Sequence, residues 1–387
     1  MSAFAAVTTG KGTGAIAVIQ LIGDSAETII KKIFVPAGKK PAVFETDKIL
    51  LGTIRAGSET IDQVTIACEA PGQFAVNCHG NPLIVADIMQ LLQKNAVELL
   101  TAEQLLTKIF SAEKLPSTIT LEAKLTQLQS KTIQGTKIIA NQINAGLAKK
   151  AELWLHNEPE LEKIKADAEQ ILKDTQTAKL LIFGCTVVLS GPSNTGKSTL
   201  LNFLAGRQKA IVTDIKGTTR DWVSAQLRIG PLYAELIDTA GLTETLVDIE
   251  KTSQQKSVEM LEKADLVLLV LDNSQPDTQL DENLLEKIAG KKIITVLNKS
   301  DLPSKFNAAS LPEKLTDTVQ ISAKLGTGIE NLLEKIRQTC NIIDFDLKTP
   351  VCFTLRQENL LKKLQQADSE QHALSIITEL LKAPLSV

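Results

Sequence analysis

Aromatic side chains are scarce in this chain: they make up 3% of 387 residues, with one tyrosine and two tryptophans. So few rings argue against a single-strand nucleic-acid binder that stacks bases on them. Positive charge is not in excess either, since 42 Lys and Arg face 45 Asp and Glu, a formal net charge of −3. Global attraction to nucleic acid is thereby excluded, no DNA partner is expected, and RNA binding would need a local patch. No apolar run approaches the roughly 20 residues of a membrane span. Met1 to Gly10 also lacks the basic region before an apolar core that marks a signal peptide. The five cysteines, Cys68, Cys78, Cys185, Cys340 and Cys352, are scattered without metal-ligand spacing, which suits a reduced, cytoplasmic setting. Hydrophobic content of 43% and charged content of 22% describe an ordinary globular chain, long enough for two or three domains.

The chain is organised around Gly191-Pro192-Ser193-Asn194-Thr195-Gly196-Lys197-Ser198, followed by Thr199 and an amphipathic helical run to Leu204. The apolar stretch Cys185 to Leu189 precedes it, so strand, glycine loop and helix follow in the order a phosphate-binding loop requires. Glycines let backbone N–H groups turn around a phosphate, and the helix adds its positive end. Lys197 would reach the β- and γ-phosphates and Ser198 would sit on Mg²⁺.

Downstream, Leu236-Ile237-Asp238-Thr239-Ala240-Gly241 reads as an apolar strand ending in a carboxylate and a flexible turn. Asp238 would hold Mg²⁺ through water, and the Gly241 amide would meet the γ-phosphate. Between these motifs lies Gly217-Thr218-Thr219-Arg220-Asp221, where a switch loop supplies a threonine to the metal. Leu266 to Leu271 is predicted to be a doubly buried parallel strand. Ile293 to Leu297 is another, delivering Asn298-Lys299-Ser300-Asp301. A carboxylate at Asp301 would accept from guanine N1–H and N2–H₂, donors that adenine lacks, so the pattern selects GTP over ATP. Ile321-Ser322-Ala323-Lys324 is the last strand-to-loop turn, suited to guanine O6. A glutamine after the Asp-Thr-Ala-Gly turn orients water in Ras-like enzymes, whereas this chain has Leu242.

Residues 1–116 read as a small α/β domain. Ala15 to Ile22 is a predicted strand, Asp24 to Glu27 lead into a helix through Ile29, Ile30 and Ile33, and Gln63–Ala67 and Phe74–Asn77 are further strands before a helix at Ile84–Leu92. Gly10-Lys11-Gly12-Thr13-Gly14 precedes a strand and opens no helix, so it is not read as a nucleotide loop. His79 is read as a turn residue, because no carboxylate partner can be placed beside it. Residues 117–180 carry apolar residues at helical spacing, with Trp154 and Leu155 in the core, and 345–387 resume the pattern from Leu355. The expected architecture is an α/β P-loop GTPase domain over 181–344, inserted in an all-α helical domain and preceded by the small N-terminal domain.

Gly191–Ser198, the run Thr213-Asp214-Ile215-Lys216-Gly217-Thr218-Thr219-Arg220-Asp221, and Asp238–Leu242 closely resemble the tRNA modification GTPase family called MnmE or TrmE, and the layout is similar. The resemblance implies G domains that dimerise across the nucleotide, with K⁺ where other GTPases use an arginine finger. Asn194 matches the asparagine that holds K⁺, and Thr213, Ile215 and Thr218 match the loop covering it. Ser198 and Thr219 match the Mg²⁺ ligands. Glu250 matches the water-positioning glutamate, so Lys197, Thr219 and Glu250 are the implied catalytic residues; Ser253 replaces the family's nearby glycine. A homodimer, tRNA and a modification partner protein are the implied partners.

Other positions depart from the family pattern. The arginine of its first strand, part of its formyl-tetrahydrofolate site, is Gln20 here. The glutamate before its Gly-His-Gly-Gly turn is Ala75, ahead of Asn77-Cys78-His79-Gly80. After the helix at Ile84–Leu92, Lys94 to Leu100 run straight into a helix where the family has a Pro-Gly-Glu-Phe-Thr segment. The sequence ends Ala383-Pro384-Leu385-Ser386-Val387 where the family has Cys-x-Gly-Lys. These departures predict a GTPase that does not bind folate, and raise a second reading: a GTP-driven conformational switch without the tRNA-modifying chemistry.

Overall fold

The computed structural model describes residues 2–10, 14–38, 41–46, 48–112, 117–157, 160–207, 223–238, 259–276, 279–280 and 282–382. Two compact units emerge, Met1–Pro116 and Ser117–Pro384. No helix among the described residues is long and apolar enough to cross a membrane.

The first unit is built on a seven-stranded mixed sheet of order β3-β4-β5-β6-β2-β1-β7. Its strands are β1 (Ala3–Val7), β2 (Ile16–Gly23), β3 (Phe34–Pro36), β4 (Ile49–Ala56), β5 (Glu59–Ala70), β6 (Gln73–His79) and β7 (Val97–Leu99). Alternating apolar residues put Ile19 and Leu21 of β2, Val64 and Ile66 of β5, and Phe74 and Val76 of β6 into one core. Helix α1 (Ala26–Ile33) closes it with Ile30, and α2 (Pro82–Lys94) with Ile88 and Leu92. The α2 start is set by Asn81, whose side chain accepts from the Leu83 amide at 2.9 Å, and by Pro82 with φ ready for a helix. Helix α3 (Ala102–Ala112) contributes Leu105 to a smaller cluster with Ala6 and Ile22.

The segment after α2 does not run straight into a helix. Ala96 turns the chain with φ +63, and Val97–Leu99 then pair in parallel with Ala3–Ala5 before α3 begins. A β-branched Val97 beside an open sheet edge gains ladder bonds that a continued helix would not supply. His79 is also differently placed from the sequence reading. Asp62, only 8% exposed on β5, accepts the His79 amide at 2.8 Å and lies 2.7 Å from its Nδ1. The strand register brings together residues 17 apart, which no local spacing announces.

In the second unit, helices α4 (Thr118–Gln127), α5 (Ile133–Asn144), α6 (Leu147–Asn157) and α7 (Leu161–Phe183) precede the nucleotide-type sheet, and α11 (Leu355–Gln365) and α12 (Glu370–Lys382) follow it. Hydroxyl caps start three of them: Ser117 Oγ, Thr132 Oγ1 and Thr354 Oγ1 accept from the amides of Thr120, Gly135 and Gln357. Trp154 is buried and Leu155 packs against the same core. A buried polar knot joins α4 to α11. Glu122, 4% exposed, accepts from Arg356 Nε and Nη2 at 2.8 Å each, Gln357 Nε2 at 2.7 Å and Thr354 Oγ1 at 2.9 Å. Removing one partner of such a pair leaves a buried charge without its counterion. Glu122→Ala is therefore expected to cost about 3 kcal/mol, the low end for buried pairs, because the Arg356 side chain is 23% exposed. Denaturant unfolding of the Trp222→Phe background, followed by the fluorescence of Trp154, checks this, and an unchanged midpoint would contradict it.

The second sheet has six strands in the order β13-β12-β11-β8-β10-β9. They are β8 (Cys185–Ser190), β9 (Val223–Ile229), β10 (Leu232–Asp238), β11 (Leu266–Asp272), β12 (Ile293–Asn298) and β13 (Thr318–Gln320). All pairs are parallel except β9–β10. Every residue of β11 is buried, as an inner strand covered on both faces requires. Helix α8 (Lys197–Arg207) follows β8, α9 (Glu282–Lys287) follows β11, and α10 (Ile329–Thr339) follows β13.

Candidate active site

Parallel strands aim their carboxyl ends one way, so the loops after β8, β11, β12 and β13, with Asp238 at the end of β10, converge at one edge of the sheet. The glycine loop after β8 is held by close contacts that demand glycine. At Gly191, φ +136, a Cβ would lie 2.2 Å from the Val270 carbonyl oxygen. At Gly196, φ +93, it would lie 2.3 Å from Asn298 Nδ2. Side chains at either position would push the loop off the neighbouring strands.

Lys197 is buried within the loop. Its Nζ donates to Gly191 O at 2.9 Å and Pro192 O at 2.7 Å. Burial pulls the ammonium below its ordinary pKa, and the Asp238 carboxylate opposes that fall. Thr195 Oγ1 donates to Pro192 O at 3.0 Å, closing the turn from within. Ser198 Oγ donates to Asp238 Oδ2 at 2.5 Å, which joins the start of α8 to the end of β10. Hydroxyl and carboxylate are the hard oxygen donors that suit Mg²⁺. Among the described residues no group of three or more His, Cys, Asp or Glu is placed to hold a metal.

At the end of β12, Asn298 is 2% exposed and staples three loops together. Its Nδ2 donates to Thr195 O at 2.8 Å, and its Oδ1 accepts the Ala323 amide at 2.9 Å. Lys299 Nζ donates to Asn194 O at 2.8 Å and to Asp272 Oδ2 at 2.6 Å. The Ser322 hydroxyl donates to the Asp301 carboxylate and is the main reason its pKa lies below the ordinary value; Lys324 and Lys299 pull the same way. The Ser322-Ala323-Lys324 turn is thus tied to both Asn298 and Asp301.

Gly191, Asn194, Thr195, Gly196, Lys197, Ser198, Thr199, Asp238, Asn298, Lys299, Asp301, Ser322, Ala323 and Lys324 all fall on these converging loops and their flanks. Thr213, Asp214, Ile215, Lys216, Gly217, Thr218, Thr219, Thr239, Ala240, Gly241, Leu242, Glu250 and Ser253 lie outside the described residues. One residue that sequence reasoning passed over is Asp272, which ends β11 and accepts from Lys299. Its signal was a carboxylate terminating an otherwise apolar, fully buried strand. A cavity of about 370 Å³ opens beside it, lined by Ser193, Asn194, Asp272, Gln275, Gln279 and Lys299 among others.

Comparison with known proteins bears on both units. The family described as "50S ribosome-binding GTPase" matches residues 186–299. The one described as "GTP-binding protein TrmE N-terminus" matches residues 3–104. The tRNA modification GTPase MnmE of Thermotoga maritima is 32% identical over 402 residues, covering 94% of this chain and 88% of its own. The MnmE of Ligilactobacillus salivarius is 31% identical over 373 residues, covering 86% and 80%. Among solved structures, the G domain of the T. maritima FeoB iron transporter aligns at 28% identity and a TM-score of 0.31, over 40% of this chain and 98% of that one. With its phosphate loop, guanine-type loop and near full-length relatives in one chain, the protein is a GTP-hydrolysing member of the MnmE family of tRNA modification GTPases.

Proposed function

We propose that GTP hydrolysis in this chain serves modification of the tRNA wobble uridine, as a homodimer whose G domains meet across the nucleotide. The carrying observation is the single cluster in which Asn298 and Lys299 bind the carbonyls of Thr195 and Asn194, so base and phosphate loops form one site. In this reading Lys197 leaves the Gly191 and Pro192 carbonyls for the β- and γ-phosphates. Asp301 would select guanine, Ser198 and Asp238 would hold Mg²⁺ with Thr219, and Asn194 would hold K⁺ with Thr213, Ile215 and Thr218. When bound, the two ions would supply positive charge at the transferring phosphate. From the family resemblance, Glu250 would position water and Thr219 would add a Mg²⁺ ligand, with Thr239, Ala240, Gly241, Asp214, Lys216 and Gly217 as further nucleotide-site residues; all eight lie outside the described residues.

The reading divides the chain into an N-terminal domain over 1–116, a helical domain over 117–180 and 345–387, and a G domain over 181–344 inserted in it. Bonds from Arg356 Nε to Glu122 Oε1 and from Gln142 Nε2 to Thr349 O at 3.0 Å support one helical domain made of two segments. Exposed Ile49 and Leu51 on one face of β4, with Ile16 of β2, support a self-associating N-terminal sheet. A cytoplasmic location follows from the reaction proposed.

A second reading is favoured by one observation. Gln20 Nε2 donates to Glu69 Oε1 at 3.2 Å and Oε2 at 3.0 Å. A neutral amide already engaged by a carboxylate is a poor anchor for the anionic glutamate tail of a folate, and supports a conformational switch that has lost folate binding. Gln20 in turn stands opposite Ala75 in the pairing of β2 with β6. Mass analysis of tRNA nucleosides from cells with and without the protein tests the first reading, with loss of a modified wobble uridine as the expected result. Calorimetric titration with 5-formyltetrahydrofolate is expected to give no heat. Unchanged nucleosides would favour the switch, and micromolar folate binding would remove it.

A further inference from the structure

Lys299 and Asn194 are both non-glycine residues in the left-handed region, with φ +62 and +63. L residues hold that conformation at a cost, and it persists where surrounding bonds over-determine it. One bond joins the two residues, from Lys299 Nζ to Asn194 O. A lysine stem is flexible and its ammonium strongly hydrated, so that bond needs a second anchor to stay in place. Asp272 is the anchor, and it is itself immobilised. Its Oδ1 accepts from Ser274 N at 2.9 Å and Ser274 Oγ at 2.7 Å, while Oδ2 takes Lys299. Its backbone is clasped by one side chain: Gln279 Oε1 accepts the Asp272 amide at 2.9 Å, and Gln279 Nε2 donates to the Asp272 carbonyl at 3.0 Å. Parallel pairing of β11 with β12 sets Asp272 opposite Asn298, one residue from Lys299. Burial raises the Asp272 pKa, but the bonds from Lys299 and Ser274 together outweigh it and hold the carboxyl below its ordinary value.

We infer that Asp272 is a positioning residue for nucleotide binding: acting through Lys299, it holds the Asn194 turn of the phosphate loop against the loop that reads the base. Base recognition and phosphate-loop shape then form one rigid unit, and nucleotide is released slowly because both must yield together. The inference rests on the reading of Lys299 as part of the guanine pocket, and the test separates the two.

Dissociation of N-methylanthraniloyl-GDP from the full chain, chased with excess GDP, is measured for Asp272→Asn, Lys299→Met and the double variant. Asp272→Asn is expected to speed release about tenfold, in keeping with loss of one charge-assisted hydrogen bond. Lys299→Met should speed it at least as much, and the double variant should match Lys299→Met alone, since Asp272 acts only through that ammonium. In turnover assays Asp272→Asn should raise KM for GTP more than it lowers kcat, because the held loop serves ground state and transition state alike. Gln279→Ala, which keeps the carboxylate but frees its backbone, should speed release to a smaller extent, and it provides the reading if Asp272→Asn does not fold. Release within twofold of wild type in Asp272→Asn, or in Gln279→Ala where that variant stands in, overturns the inference, as do independent, multiplying effects in the double variant. Unchanged release in Lys299→Met would instead remove Lys299 from the guanine pocket, and the inference with it.

Discussion

Replacing K⁺ by Na⁺ is expected to slow GTP turnover by about 10³-fold, the low end of what added transition-state charge contributes in related GTPases. Leu242 stands where Ras-like enzymes place a water-orienting glutamine, so charge compensation and water positioning must come from elsewhere. Asn194 is suited to the first task. Its exposed side chain stands at the crest of the phosphate loop, on a backbone that Lys299 holds through the Asn194 carbonyl. In the dimer proposed above the K⁺ site would be completed as G domains meet, so turnover per chain should also rise with protein concentration. Glu250→Ala should slow turnover while leaving GTP affinity nearly intact, the pattern of a group that acts only in the transition state. Steady-state phosphate release in the two salts, at several protein concentrations, is the measurement. Equal turnover in the two salts would exclude the ion, and equal turnover per chain at every concentration would exclude G-domain association that is limited by protein concentration.

Asp301→Asn is expected to weaken GTP binding by about 10²–10³-fold and to gain xanthosine triphosphate. Sites built around hydrogen bonds reject a ligand that leaves them mispaired by as much as about 10⁴–10⁵. A carboxylate presents two acceptors to guanine N1–H and N2–H₂. Asparagine replaces one acceptor with a donor, which opposes the guanine amino group and welcomes the 2-oxo group of xanthine. The Ser322 bond keeps Asp301 ionised below the ordinary carboxylate pKa, so guanine selection should stay constant from neutral to mildly acidic pH. Ser322 is fully buried and its loop is tied to Asn298 by the Ala323 amide, so the carboxylate is presented by a fixed frame. Calorimetry with both nucleotides checks the exchange, and unchanged GTP affinity would take Asp301 out of the base pocket.

The chemistry of the nucleotide site was legible in the amino-acid order because it depends on local geometry. A strand, a glycine turn and a helix start make a phosphate cradle wherever they occur, and Lys197 and Ser198 follow at fixed offsets. The buried parallel strands were legible for a similar reason: Leu266 to Leu271 is too uniformly apolar to face water on either side. Tertiary structure alone decided which distant groups meet. It paired Asp62 with His79, Glu122 with Arg356 and Asp272 with Lys299, and it set Glu69 against Gln20. It also turned Val97–Leu99 into a strand, because a free edge at β1 was within reach. A buried charge takes its counterion from whatever the fold brings within about 3 Å. That choice follows the path of the whole chain, and no spacing along the sequence encodes it.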